Sequence, residues 1–283
     1  MERPKLILIA IAALILIAVA VSAPPSFLGK AEFHQGKVDS SLADRLDSGK
    51  DEELPVIVIL KGQEAPNLDG LNVKYSYHLI KGVAGDASPS TIKRLADDSA
   101  VEGIYLDSSV RASQSSGESA SGDIVSPAEM VDAGKLWDEG VDGRGVIVAI
   151  LDSGIDKNHP DLAGKVVGEK NFVEDEETTD DLLGHGTMVA GIIAGSGAAS
   201  GGKYKGVAPG ASLLNIRVID SSGNGQVSDI IAGIEWALDN DADVISLSLA
   251  GLNLGETNPP VTMAADNAMD AGAVVCVAAG NNG

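Results

Sequence analysis

The run Val146-Ile147-Val148-Ala149-Ile150-Leu151, ended abruptly by Asp152, constrains this chain more than any other feature. These consecutive apolar residues offer water no polar face, so the strand they predict is buried on both sides. Such a strand belongs in a parallel sheet covered by helices, which sets the fold class as α/β. In open parallel sheets, sites gather at the carboxyl ends of the strands. Asp152 stands at such an end, at the edge of a dry cavity, where a carboxylate orients and charge-stabilises an imidazole. That imidazole follows in Gly184-His185-Gly186-Thr187-Met188-Val189-Ala190-Gly191. Small residues recur at spacings of four there, as Gly186, Ala190 and Ala194 and as Thr187, Gly191 and Gly195. They let a helix over 186–196 press close to the sheet and hold His185 against Asp152.

Six segments occur in order: LDSGID at 151–156, HPDL at 159–162, GHGTMVAG at 184–191, VAPGA at 207–211, SLSLAG at 246–251 and AAGNNG at 278–283. In order and spacing they resemble the subtilisin-like serine proteases (subtilases), and the likeness runs from about Ser126 to Gly283. It implies a parallel-sheet, subtilisin-like catalytic domain with an Asp-His-Ser triad acting on peptide or protein substrates. Asp152 would then accept the Nδ1 proton of His185, and His185 would take the proton of a serine and return it to the leaving amine. Asn281 would aim its amide at the developing oxyanion. Ser248, Leu249 and Ala250 match the segment that pairs with substrate backbone and lines the primary pocket. Gly223, Asn224 and Gly225 match the opposite edge, so an extended peptide would bind by strand addition. Ala250 replaces the usual Gly, and Met188 stands where a His often follows the histidine motif. The family's catalysis needs no cofactor. A structural calcium ion stays open: Asp161 matches a ligand of some members, but 195–206 lacks the Asn-rich loop that completes that site.

The family's nucleophile lies in a Gly-Thr-Ser-Met-Ala-type motif on a helix N-terminus. Residues 1–283 contain neither that motif nor a Gly-x-Ser-x-Gly elbow. The chain reads as the front part of a protease precursor, and as it stands it is not expected to hydrolyse peptides. The rival reading is an exported inhibitor or peptide-binding protein derived from a protease; the abrupt end behind a buried strand counts against it. Two decoys fall away. The segment 197–204 nearly spells a phosphate loop, but Tyr204 takes the place of the magnesium-binding hydroxyl and a helix precedes it instead of a strand. An aspartic protease would need a second aspartate like Asp152, and the other Asp-Ser-Gly, at 47–49, ends a polar helix.

Net charge is −21, which argues against nucleic acid as a partner, because phosphate binding needs basic patches. Residues Leu6 to Val21 are continuously apolar behind Arg3 and Lys5. That is the pattern of a signal peptide over 1–23, or of an uncleaved anchor, and it predicts a secreted protein or one anchored facing outside. Residues 24–111 form a propeptide-like unit. Its core, 54–111, predicts strands at 54–60, within 73–84 and at 101–106, and a helix opened by Ser88-Pro89 with Ile92, Leu95 and Ala96 on its apolar face. By position it resembles the α+β ferredoxin-like propeptide of the family, which assists folding and then inhibits with its tail in the cleft. A short helix is predicted over 38–46. Residues 112–127 read as a Ser/Gly-rich linker. Beyond it, residues 128–283 predict helices at 128–138, 186–196, 227–239 and 260–271, and strands at 146–151, 213–218, 244–249 and 273–279. The single cysteine, Cys276, reads as a small buried hydrophobe. His34, His78 and His159 read as structural.

Overall fold

The computed structural model describes residues 36–62, 66–112, 125–251 and 259–279. The first unit comprises α1 (Ser40–Asp47), β1 (Leu54–Leu60), β2 (Leu71–Tyr77), β3 (Gly82–Ala87), α2 (Pro89–Asp97) and β4 (Val101–Leu106). Both helices start on side-chain caps: Asp39 accepts from the Leu42 amide and Ser88 from the Thr91 amide, with Pro89 opening α2. The antiparallel sheet has the order β2-β3-β1-β4, the strand order of a ferredoxin-like unit. α1 precedes β1, and no helix lies between β1 and β2 among the described residues. Alternation along β1 divides the packing. Val56 and Val58 join Leu42, Ile92, Leu95 and Ile104 under the helices. Ile57 and Ile59 face the other way, into a core shared with the second unit.

The second unit is a parallel sheet of β6 (Ile147–Asp152), β7 (Val166–Asn171), β8 (Ser212–Arg217), β10 (Val244–Leu247) and β12 (Val274–Val277), in the order β12-β10-β6-β8-β7. The apolar run forms the central strand, and both of its faces are covered. Val148 and Ile150 pack against Ala190 and Ala194 of α5 (His185–Ala194). Ala149 and Leu151 pack against α6 (Val227–Asp239) and α7 (Pro260–Asp270). Three short strands, β5 (Ser109–Ala112), β9 (Asn224–Gln226) and β11 (Leu249–Gly251), form a separate sheet in the order β11-β5-β9. Among the described residues no helix is long and apolar enough to cross a membrane.

Four expectations are corrected. The helix at 128–138 is two, α3 (Pro127–Met130) and α4 (Ala133–Asp138), because Asp132 adopts a left-handed φ of 55°. The strand at 244–249 stops at Leu247, and the chain turns at Ser248 into β11. Ala112, assigned to a linker, ends β5. Cys276 is exposed on β12, which is the last strand on its side of the sheet among the described residues.

Candidate active site

Asp152 ends β6 and His185 opens α5, and the close seating of α5 on the sheet brings them together. A Cβ on Gly186 would lie 2.1 Å from the Gly154 carbonyl oxygen and 3.1 Å from Asp152 Cβ, so only glycine permits this approach. Gly191, by contrast, faces open space. His185 Nδ1 and Asp152 Oδ1 are 2.7 Å apart, with the residues 8% and 1% exposed. The Asp152 carbonyl accepts from the amides of Val218 and Ile219, which fixes the backbone beneath the carboxylate. Asp152 Oδ1 also accepts from the Ser153 amide, while Oδ2 has no hydrogen-bond partner among the described residues. A buried carboxylate with one oxygen committed to Nδ1 favours the tautomer that leaves Nε2 as a base and stabilises the imidazolium.

The loop before α5 is tied across the strand ends. Thr179 O accepts from Asn215 Nδ2, Thr178 O accepts from Arg217, and the fully buried Arg217 also pairs with Glu176. Asp181 collects donors from Ser153, Leu183, Gly184 and Thr187. Burial alone would raise its pKa, but these hydrogen bonds outweigh burial and hold the carboxyl below its ordinary value. Sequence reasoning missed Asp181, because the adjacent Asp180 and Asp181 look alike in the sequence.

The expected cleft residues meet around the chain's own segment 109–112. Gly225 pairs with Val110 and Asn224 with Arg111 on one side; Leu249 pairs with Ala112, Ala250 with Arg111 and Gly251 with Val110 on the other. The carbonyl of Gly223 accepts from the Ala112 amide at 3.1 Å. Ser248 is the turn between β10 and β11. Val110 and Ala112 are buried while Ser109 and Arg111 are exposed, the alternation of a bound strand. Next to it lies a cavity of about 410 Å³ lined by Val110, Val227, Ile230, Leu247, Leu249 and Ala278, among others. The first unit is also clamped to α6. Asp107 accepts from the Ser228 amide, Glu235 accepts from the amides of His78 and Leu79, and Asp229 takes Tyr75 and Lys74.

Asn281 lies outside the described residues, as does His34. Asp161, left open as a calcium ligand, accepts from the Ala199 amide at 2.7 Å, so this carboxylate fastens the loop after α5. His159 Nδ1 accepts from the Asp161 amide, and His78 sits beside Glu235. Met188 is exposed on α5.

These features define a class: an α/β protein with a buried imidazole–carboxylate pair at the carboxyl end of a parallel sheet and a cleft that binds extended chain. The sequence model of the subtilase family matches residues 143–283. The serine protease AprX of Bacillus subtilis is 36% identical over 222 residues, covering 75% of this chain and 48% of that protein. The major intracellular serine protease of the same organism is 42% identical over 160 residues, covering 55% and 49%. In structure the chain is similar to fervidolysin from Fervidobacterium pennivorans, a keratinolytic enzyme related to subtilisin. The TM-score is 0.63 at 27% identity, covering 83% of this chain and 41% of that one. The chain belongs to the subtilase family. It spans about half the length of the curated relatives it matches.

Proposed function

We propose that the protein is a serine endopeptidase precursor in which Asp152 and His185 are the acid and base of a triad. The observation that carries this is the buried 2.7 Å contact between His185 Nδ1 and Asp152 Oδ1 at the end of the central strand. Nε2 would take the proton of an attacking serine and deliver it to the leaving amine. The serine in this reading sits in a Gly-Thr-Ser-Met-Ala-type motif. No such motif occurs within residues 1–283, which in this reading supply the acid and the base. Asn281 would donate to the oxyanion. Peptide and protein substrates would add as a strand between β9 and β11, where Gly223, Gly225, Ser248, Leu249 and Ala250 lie.

The pairing of 109–112 in that position supports assigning residues 24–111 as an inhibitory, folding-assisting propeptide whose tail occupies the cleft. Residues 1–23 would act as a signal peptide or anchor, which places the working protein outside the cell. The test is casein hydrolysis by the full-length gene product and its His185→Ala variant. A loss of at least about 100-fold is expected in the variant. Retention of activity within a few-fold would remove His185 from the reaction.

A further inference from the structure

We infer that Asp181 is a positioning residue for His185: its carboxylate locks the end of β6 to the start of α5 and so sets the imidazole against Asp152. The inference rests on the peptidase reading above, because it assigns Asp181 a part in the same site. Asp181 touches neither ring nor carboxylate; it acts through the backbone that carries them.

The wiring is specific. Asp181 Oδ1 accepts from Ser153 Oγ at 2.8 Å, the Leu183 amide at 3.0 Å and the Gly184 amide at 2.7 Å. Oδ2 accepts from the amide and hydroxyl of Thr187 at 2.8 and 2.6 Å. Ser153 Oγ, while donating to Asp181, accepts from the Gly186 amide at 3.0 Å. The residue after Asp152 and the residues on both sides of His185 are thus joined through one carboxylate.

Thr187 extends the link, since its Oγ1, while donating to Asp181, accepts from the Asp156 amide at 2.9 Å. The cap residue of α5, Gly184, has a left-handed φ of 91° and no side chain, so the helix lacks a cap of its own. Asp181 takes that place from three residues upstream and adds the link to Ser153. An ionised carboxylate accepts on both oxygens, whereas an amide offers one acceptor and one donor group. Asp181→Asn keeps the volume but turns an NH₂ towards either the Thr187 pair or the Ser153–Gly184 set. One side must then separate, and His185 moves with it. Misplacing a catalytic group by about 1 Å lowers turnover on the order of 100-fold.

The experiment compares the full-length gene product with Asp181→Asn and with Asp180→Asn, a neighbouring change outside this network. Two readouts are taken: kcat and KM per folded molecule on a peptide substrate, and the His185 Nδ1–H resonance in ¹⁵N-labelled protein. The expected result is a fall of about tenfold to 100-fold in kcat for Asp181→Asn. KM should stay within about twofold, the Nδ1–H resonance should shift or broaden, and Asp180→Asn should change neither readout. Unchanged kcat and resonance in Asp181→Asn overturn the inference. So does a fall that only tracks the folded fraction with the resonance unmoved, since that marks a purely structural role. If the unsubstituted protein hydrolyses nothing, the peptidase reading fails and the resonance alone decides this one. Should Asp181→Asn not fold, Ser153→Ala carries the test: both readouts must move in the same direction, and unchanged values overturn the inference.

Discussion

Gly186 is where the site tolerates least. Any side chain there meets the Gly154 backbone, which cannot retreat without moving Asp152. Gly186→Ala is expected to cost about 1–3 kcal/mol as overpacking. It would appear as a lower urea midpoint at unchanged slope, and an unshifted midpoint would show that α5 sits less tightly than described. At this scale the sequence was informative but not complete. The Asp152–His185 pair and the buried Gly186, Ala190 and Ala194 row were legible, because a small-residue row at helical spacing marks close packing. The parallel row was not what it promised, since Gly191 meets nothing within 4 Å. Asp181 was illegible for a different reason. In Thr178-Thr179-Asp180-Asp181 a functional carboxylate and a solvated one look alike, and only the three-dimensional set of donors separates them.

Among the elements, β5 makes the most exposed commitment. Val110 is buried between Gly225 and Gly251, and a Cβ on either glycine would touch it at 3.3–3.4 Å. Val110→Asp would bury a carboxylate without a partner, a cost of several kcal/mol that releases the segment instead. Amide hydrogen exchange at 109–112 is expected to speed up at least about tenfold, and protection equal to the unsubstituted chain would contradict the strand pairing. Long, strongly patterned elements were readable beforehand. β1, β4 and α6 match their expected ranges, and β6, β8, α5 and α7 fall within one or two residues of theirs. The edges of the three-stranded cleft sheet came from the family resemblance and not from residue pattern, because its strands are three or four residues long and their partners lie far away in sequence. β7 escaped too. Val166–Asn171 is a polar, half-exposed edge strand with neither an apolar run nor clean alternation.

At the scale of the molecule, the two units are joined by a shared core and by carboxylates whose burial matters. Burial holds the Asp107 and Asp229 carboxyls above their ordinary value of 3.8, although Ser228 donates to the first and Lys74 and Tyr75 to the second. Glu174 adds a like charge near Asp229. A carboxyl with a raised folded pKa binds more protons in the folded state, so its contribution is most favourable below 3.8 and declines as pH rises through the raised value. Asp229→Asn removes that penalty. Its stability relative to the unsubstituted protein should therefore improve as pH rises above 3.8 in a series of urea titrations; a gap independent of pH would show that Asp229 does not titrate in the folded interface. Residues 109–112, paired between β9 and β11, add a strand of the first unit to the second. The decisive measurement is labelling of the full-length gene product with a fluorophosphonate, a reagent that reports a serine activated by its base. Labelling that disappears in His185→Ala is the expected result. Equal labelling with and without His185, or none in either, would contradict the assignment of Asp152 and His185 as the acid and base of a serine peptidase.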